Sequence, residues 1–167
     1  MTNEQISELF AKQSIRDVLS RYCRGLDRMD KAMAYSVFHA DAPVNYFDIF
    51  EGTGHGFIDW VWGSHEAMQC HSHQINNVLV EVQGDAASSE AYVTVTLQMK
   101  PELTEKPTEI LARGRYLDKW KCIDGVWAIS ERLHIVDAQS TYHPAHIETK
   151  AESRRDTEDA SYQFITQ

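Results

Sequence analysis

Cysteine is scarce in this sequence, with only Cys23, Cys70 and Cys122 in 167 residues. They are far apart, odd in number and form no Cys-x-x-Cys. That argues against a disulfide framework or a cysteine-based zinc site. Reduced thiols in a cytoplasmic protein are expected instead. Long apolar runs are also missing. No 18 apolar residues follow one another, so neither a transmembrane helix nor a membrane partner is expected. The opening stretch MTNEQISELFAKQSIRD is polar and mixed in charge, unlike a signal peptide. Positive charge is in deficit: 16 Lys and Arg stand against 25 Asp and Glu, a net charge of −9. Nucleic acid is therefore a poor partner, because phosphate backbones require a basic patch. The sequence has no Gly-rich phosphate loop and no Gly-x-Ser-x-Gly elbow.

What remains is ordinary globular composition, 43% hydrophobic and 25% charged, at the length of one domain. Residues 3–26 show helical spacing in Ile6, Leu9, Phe10, Ile15, Val18, Leu19, Tyr22 and Leu26, with Asn3 as N-cap. Asp30 is placed to cap a second short helix over KAMAYSVFHA, ended by Pro43. Residues 44–50 read as a strand, EGTGHG as a turn and 56–69 as a third helix. The period then changes to two. Strands are expected over 71–83, 88–100, 109–122 and 126–137, with tight turns at Gly84-Asp85 and Asp124-Gly125. The charged stretch 148–159 reads as a helix or disordered extension, so the division is a domain over 1–145 and a tail over 146–167.

The order α-α-β-α-β-β-β-β, helices followed by a meander, argues for an α+β fold. A curved antiparallel sheet with helices packed over it encloses a pocket between the layers, the usual place for a ligand.

Three segments, RYCRGLDRMD, CHSHQINNV and DGVWAISERL, carry a family resemblance. Over about residues 5 to 140 the chain resembles the nuclear transport factor 2-like superfamily. Its closest likeness there is to the SnoaL-like and scytalone dehydratase-like lyases, which include a bile-acid dehydratase and a hexachlorocyclohexane dehydrochlorinase. The resemblance implies a cone-shaped fold, a cofactor-independent reaction and a homo-oligomer, trimer or dimer. It matches Asp27 and His73 to a catalytic pair, and Tyr22 to the dehydratase's tyrosine. Arg132 matches an arginine of the dehydrochlorinase, which has a lysine where Tyr22 stands. Tyr46, Trp60 and His134 are expected to contact the substrate.

In this reading His73 is a general base that removes a proton from carbon, and Asp27 fixes its tautomer. Tyr22 donates to a developing oxyanion, and Arg132 stabilises negative charge. The expected activity is that of a hydro-lyase on a small hydrophobic cyclic or aromatic molecule. The alternatives are C–C cleavage or isomerisation by the same pair, or a non-catalytic role like that of the small subunit of ring-hydroxylating dioxygenases. His71-x-His73 would put two imidazoles on one side of a strand, with His134 or Glu81 as a third ligand. The spacing to Glu81 does not fit the usual double-stranded β-helix metal motif, and the leading helices do not suit that fold, so no metal is expected. One constraint is geometric: five helical residues turn about 140° out of phase, so Tyr22 and Asp27 share a face only if the helix ends near Leu26.

Overall fold

A computed structural model describes residues 1–165. Helix α1 spans Asn3–Asp27, so its cap lies one residue before the Asn3 expected. Thr2 is the N-cap, and it exchanges hydrogen bonds with Gln5 in a capping box. The buried stripe runs through Ala11, Ile15, Val18, Leu19, Tyr22 and Leu26. Leu9 and Phe10, counted in the stripe from sequence, fall on the opposite side of the helix from these residues and are 57% and 70% exposed.

Helix α2 (Lys31–Ser36) is capped by the Asp30 side chain, as expected. It is shorter than its sequence pattern. The backbone of Val37 and His39 leaves the helix to bond with Ile129, which places Phe38 beside the sheet. The pairing gained there overrides local helical preference. Gly25 lets α2 approach α1: a Cβ at Gly25 would stand 2.8 Å from the Ala34 amide nitrogen.

The strand expected over 44–50 is two short strands, β1 (Pro43–Asn45) and β2 (Glu51–Thr53), which pair antiparallel. Between them the chain reverses. Asn45 accepts from the Phe47 amide, Tyr46 donates its amide to the Phe50 carbonyl, and Phe47 has φ +50°. Thr53 then caps α3 (Gly54–Glu66). The four long strands follow: β3 (Met68–Gln83), β4 (Ala86–Met99), β5 (Glu109–Ile123) and β6 (Val126–Tyr142). Asp124 and Gly125, at φ +51° and +80°, make the expected β5–β6 turn.

The sheet order is β2-β1-β6-β5-β4-β3, antiparallel except where β1 runs parallel to β6. Register shifts at Ile75/Val78, Arg113/Gly114 and Lys119/Trp120 bend the strands, as bulges do. The result is a curved, unclosed sheet with helices packed over it, an α+β architecture. Its core includes Ile15, Leu19, Val93, Trp120 and Ile129. Beyond β6 the tail is mostly irregular, with one short helix α4 (Ser161–Phe164). Among the described residues no helix is long and apolar enough to cross a membrane.

Candidate active site

Asp27 is the last residue of α1, and His73 lies on β3 at the edge of the sheet. An edge strand presents N–H groups that no neighbouring strand takes up. The His73 amide uses that freedom and donates to both Asp27 carboxylate oxygens, at 3.1 and 3.0 Å. The His73 ring also bonds to Asp27, Nδ1 to Oδ1 at 2.7 Å. Asp27 thus grips one residue by backbone and side chain together. With Nδ1–H donating to the carboxylate, the lone pair lies on Nε2. The two side chains are 6% and 15% exposed, so water weakens the contact little.

His73 borders a cavity of about 180 Å³, which Tyr22, Tyr46, Trp60, His65 and His134 also line. Asp27 does not line it. Helix α1 continues through Asp27, so Tyr22 and Asp27 point to different sides of it. They do not share a face, and His73 connects them by meeting Asp27 on one side and the cavity on the other.

The far wall is phenolic. The Tyr22 and Tyr46 hydroxyls are 3.0 Å apart, both side chains are buried, and Tyr46 stacks on Phe57. Tyr116 meets Tyr22 edge-on, and the His134 ring leans on both Tyr46 and Tyr116. Burial raises the pKa of all three tyrosines, so they stay protonated and can donate. Burial, with the charge of Arg132 adding to it, lowers His134 to about 4. At neutral pH His134 is therefore uncharged.

Arg132 lies behind this wall and does not border the cavity. Its Nε and Nη2 donate to the two Asp118 oxygens at 2.7 and 2.8 Å, and both side chains are fully buried. Its guanidinium packs on the rings of Tyr22 and Tyr116, 4.4 and 4.0 Å from their centroids. Whatever Arg132 does for a ligand is transmitted through those tyrosines. Trp60 is 46% exposed and sits by Phe50 and Phe57 at the cavity mouth. Trp62 turns away, towards Lys31.

His71 and His73 do not form a ligand pair. His71 is buried and its Nε2–H donates to the Leu26 carbonyl at 2.8 Å. Its ring is edge-on to His73 at 5.8 Å. Among the described residues, no three His, Cys, Asp or Glu side chains gather as metal ligands.

The sequence reading missed His65, which borders the cavity with its ring 4.2 Å from His71 and 5.7 Å from His73. Burial lowers His65 to about 2 and His71 to about 4, so His73 has uncharged imidazoles as neighbours. A signal was present: Phe57, Ile58, Val61 and His65 fall on one helical stripe, the buried face of α3.

Residues 7–133 match the SnoaL-like domain family. Among curated protein sequences none matches the chain. Several solved structures share its fold. One, from Novosphingobium aromaticivorans and provisionally described as a scytalone dehydratase, is 20% identical with a TM-score of 0.73. That match covers 84% of this chain and 93% of the other. A hexachlorocyclohexane dehydrochlorinase, LinA-type3 from Novosphingobium barchaimii, is 17% identical with a TM-score of 0.76, over 87% and 99%. The Kfla4162 protein from Kribbella flavida is 16% identical with a TM-score of 0.71, over 77% and 92%. At these identities the likeness concerns the fold alone.

Proposed function

The chain belongs to the SnoaL-like domain family, within the nuclear transport factor 2-like superfamily, and from that premise we propose that it is a cofactor-independent lyase that dehydrates a small, largely apolar ring compound. The observation that carries the proposal is the 2.7 Å bond between Asp27 Oδ1 and His73 Nδ1, with His73 bordering an aromatic cavity. His73 Nε2 takes a proton from the carbon next to a carbonyl. Asp27 stabilises the imidazolium that forms. The Tyr22–Tyr46 pair donates a hydrogen bond to the enolate oxygen. The imidazolium then returns its proton to the departing hydroxyl, and water leaves. The proton balance closes on His73, and no redox step is involved. The lining suits an uncharged ligand. Among the described residues no carboxylate borders the cavity, Arg113 is its only lysine or arginine, and the Arg113 side chain is exposed.

The test is turnover of a panel of β-hydroxy cyclic ketones, followed by product analysis. His73→Ala and Asp27→Asn are expected to lower kcat by about 10²–10⁴, the span general-base catalysis and base orientation supply. The circular dichroism spectrum should be unchanged. Near-normal rates in both variants would sink the reading. Release of a carbonyl fragment instead of water would assign the same pair to C–C cleavage.

A further inference from the structure

The tail beyond the family-matched segment returns to the site from behind, and Arg155 is the centre of that return. Its guanidinium donates to the Met68 carbonyl and, at 2.7 Å, to the His65 carbonyl. These carbonyls lie at the C-terminal end of α3 and the first residue of β3, where a cation also suits the helix dipole. Both residues border the cavity. The β3–β4 register shifts between Met68 and Cys70, at this junction. Thr149 adds a second contact there, accepting from Gln69 at 2.7 Å.

The same segment is tied to the end of α1. Arg28 donates to Asp159 at 3.1 Å and to the Arg154 carbonyl at 2.8 Å. Arg24 donates to Ser161 at 3.0 Å and lies over the Tyr162 ring, and Tyr162 donates to Asp30 at 2.8 Å. Arg24, Arg28 and Asp30 flank Asp27 in sequence. Residues 154–162 therefore join the helix end that carries Asp27 to the junction that leads into His71 and His73.

We propose that Arg155 is a positioning residue for the Asp27–His73 pair, acting through a C-terminal strap that fixes the α3–β3 junction against the end of α1. Arg155 does not border the cavity. Its charge lies near enough to Asp27 and the imidazole cluster to be felt there, and it adds to the burial that keeps His65 and His71 uncharged. The proposal rests on Asp27 and His73 being the working pair. Its test does not need turnover, so the two can fail separately.

The readout is the His73 ring proton shared with Asp27, followed by ¹⁵N-edited NMR on the full-length chain. Arg155→Ala is expected to speed its exchange with solvent at least tenfold. Arg155→Lys keeps the charge but lacks the planar fork, and it should restore less than half of the lost protection. The Trp120 indole N–H, bonded to Ser89 in the core, should change less than twofold and so reports on global loosening. Arg154→Ala, which removes a surface pairing with Asp156, should leave His73 at the wild-type rate. Exchange at His73 within threefold of wild type in both Arg155 variants would overturn the proposal. So would equal acceleration at Trp120. Should Arg155→Ala not fold, Arg155→Lys alone decides by the same threshold.

Discussion

Asp118→Asn puts the buried Arg132 to the test. Asp118 accepts two charge-assisted bonds from Arg132, and no water reaches either side chain. Among the described residues the Arg132 Nη1 has no geometric hydrogen-bond partner, so Asp118 is its one counter-charge, supplemented by the surrounding rings of Tyr22, Phe38 and Tyr116 and by the nearby Tyr46. The substitution removes the negative charge and turns an amide N–H₂ towards a donor. Breaking a buried pair in this way costs about 3–5 kcal/mol, because an uncompensated charge is left inside. For a chain of this size about 1 kcal/mol moves Tm by about 2–4 °C. The expected loss is therefore about 6–20 °C, read by thermal unfolding at pH 7 and checked by urea denaturation. An apolar replacement of both partners, Asp118→Leu with Arg132→Met, should recover much of that loss, since it removes both desolvation penalties. A loss below about 1 kcal/mol for Asp118→Asn would refute the reasoning, as would a double variant no better than the sum of the single ones. In either case the guanidinium would not depend on Asp118 for its stabilisation.

Stability should fall as the solution is acidified from pH 6.5 towards 4. His71 is buried, and its pKa drops from the ordinary 6.5 to about 4. In that window the unfolded chain binds the proton and the folded one does not. The contribution of His71 is complete above pH 6.5 and lost below about 4, at most about 3 kcal/mol by linkage. Denaturant midpoints at pH 7 and pH 4.5 check this, and equal midpoints would contradict it. Gly114→Ala should destabilise by about 1–3 kcal/mol or more and distort the cavity it lines, because the added Cβ would lie 2.2 Å from the Ile135 carbonyl oxygen. A Tm within 2 °C of wild type would show that the β5 bulge yields easily.

Several elements could be read from the chain because their causes are local. The long strands follow two-residue alternation, and the Asp124-Gly125 turn follows from a backbone demand for positive φ at both positions. The cap at Asp30 follows from a side chain that can satisfy a free amide, whereas the α1 cap is Thr2 and not the Asn3 expected. Where the reading failed, distant backbone intervened. Helix α2 stopped early because Ile129 offered hydrogen bonds to Val37 and His39. The strand expected over 44–50 split because its chain turns back on itself to pair β1 with β2.

For the site, the sequence by itself determined residue types and periodicity. It placed Tyr22 on a buried helical stripe and His73 on a strand, and by resemblance it joined His73 to Asp27. Only the tertiary structure decided how these residues meet. Asp27 points away from Tyr22, and the two are connected because an edge strand has a free amide and brings His73 between them. It also moved Arg132 behind the tyrosines, since a guanidinium on β6 finds Asp118 directly across the ladder on β5. The physical reason is range: hydrogen bonds and packing act over a few ångströms, and these partners stand 14 and 46 residues apart in the chain.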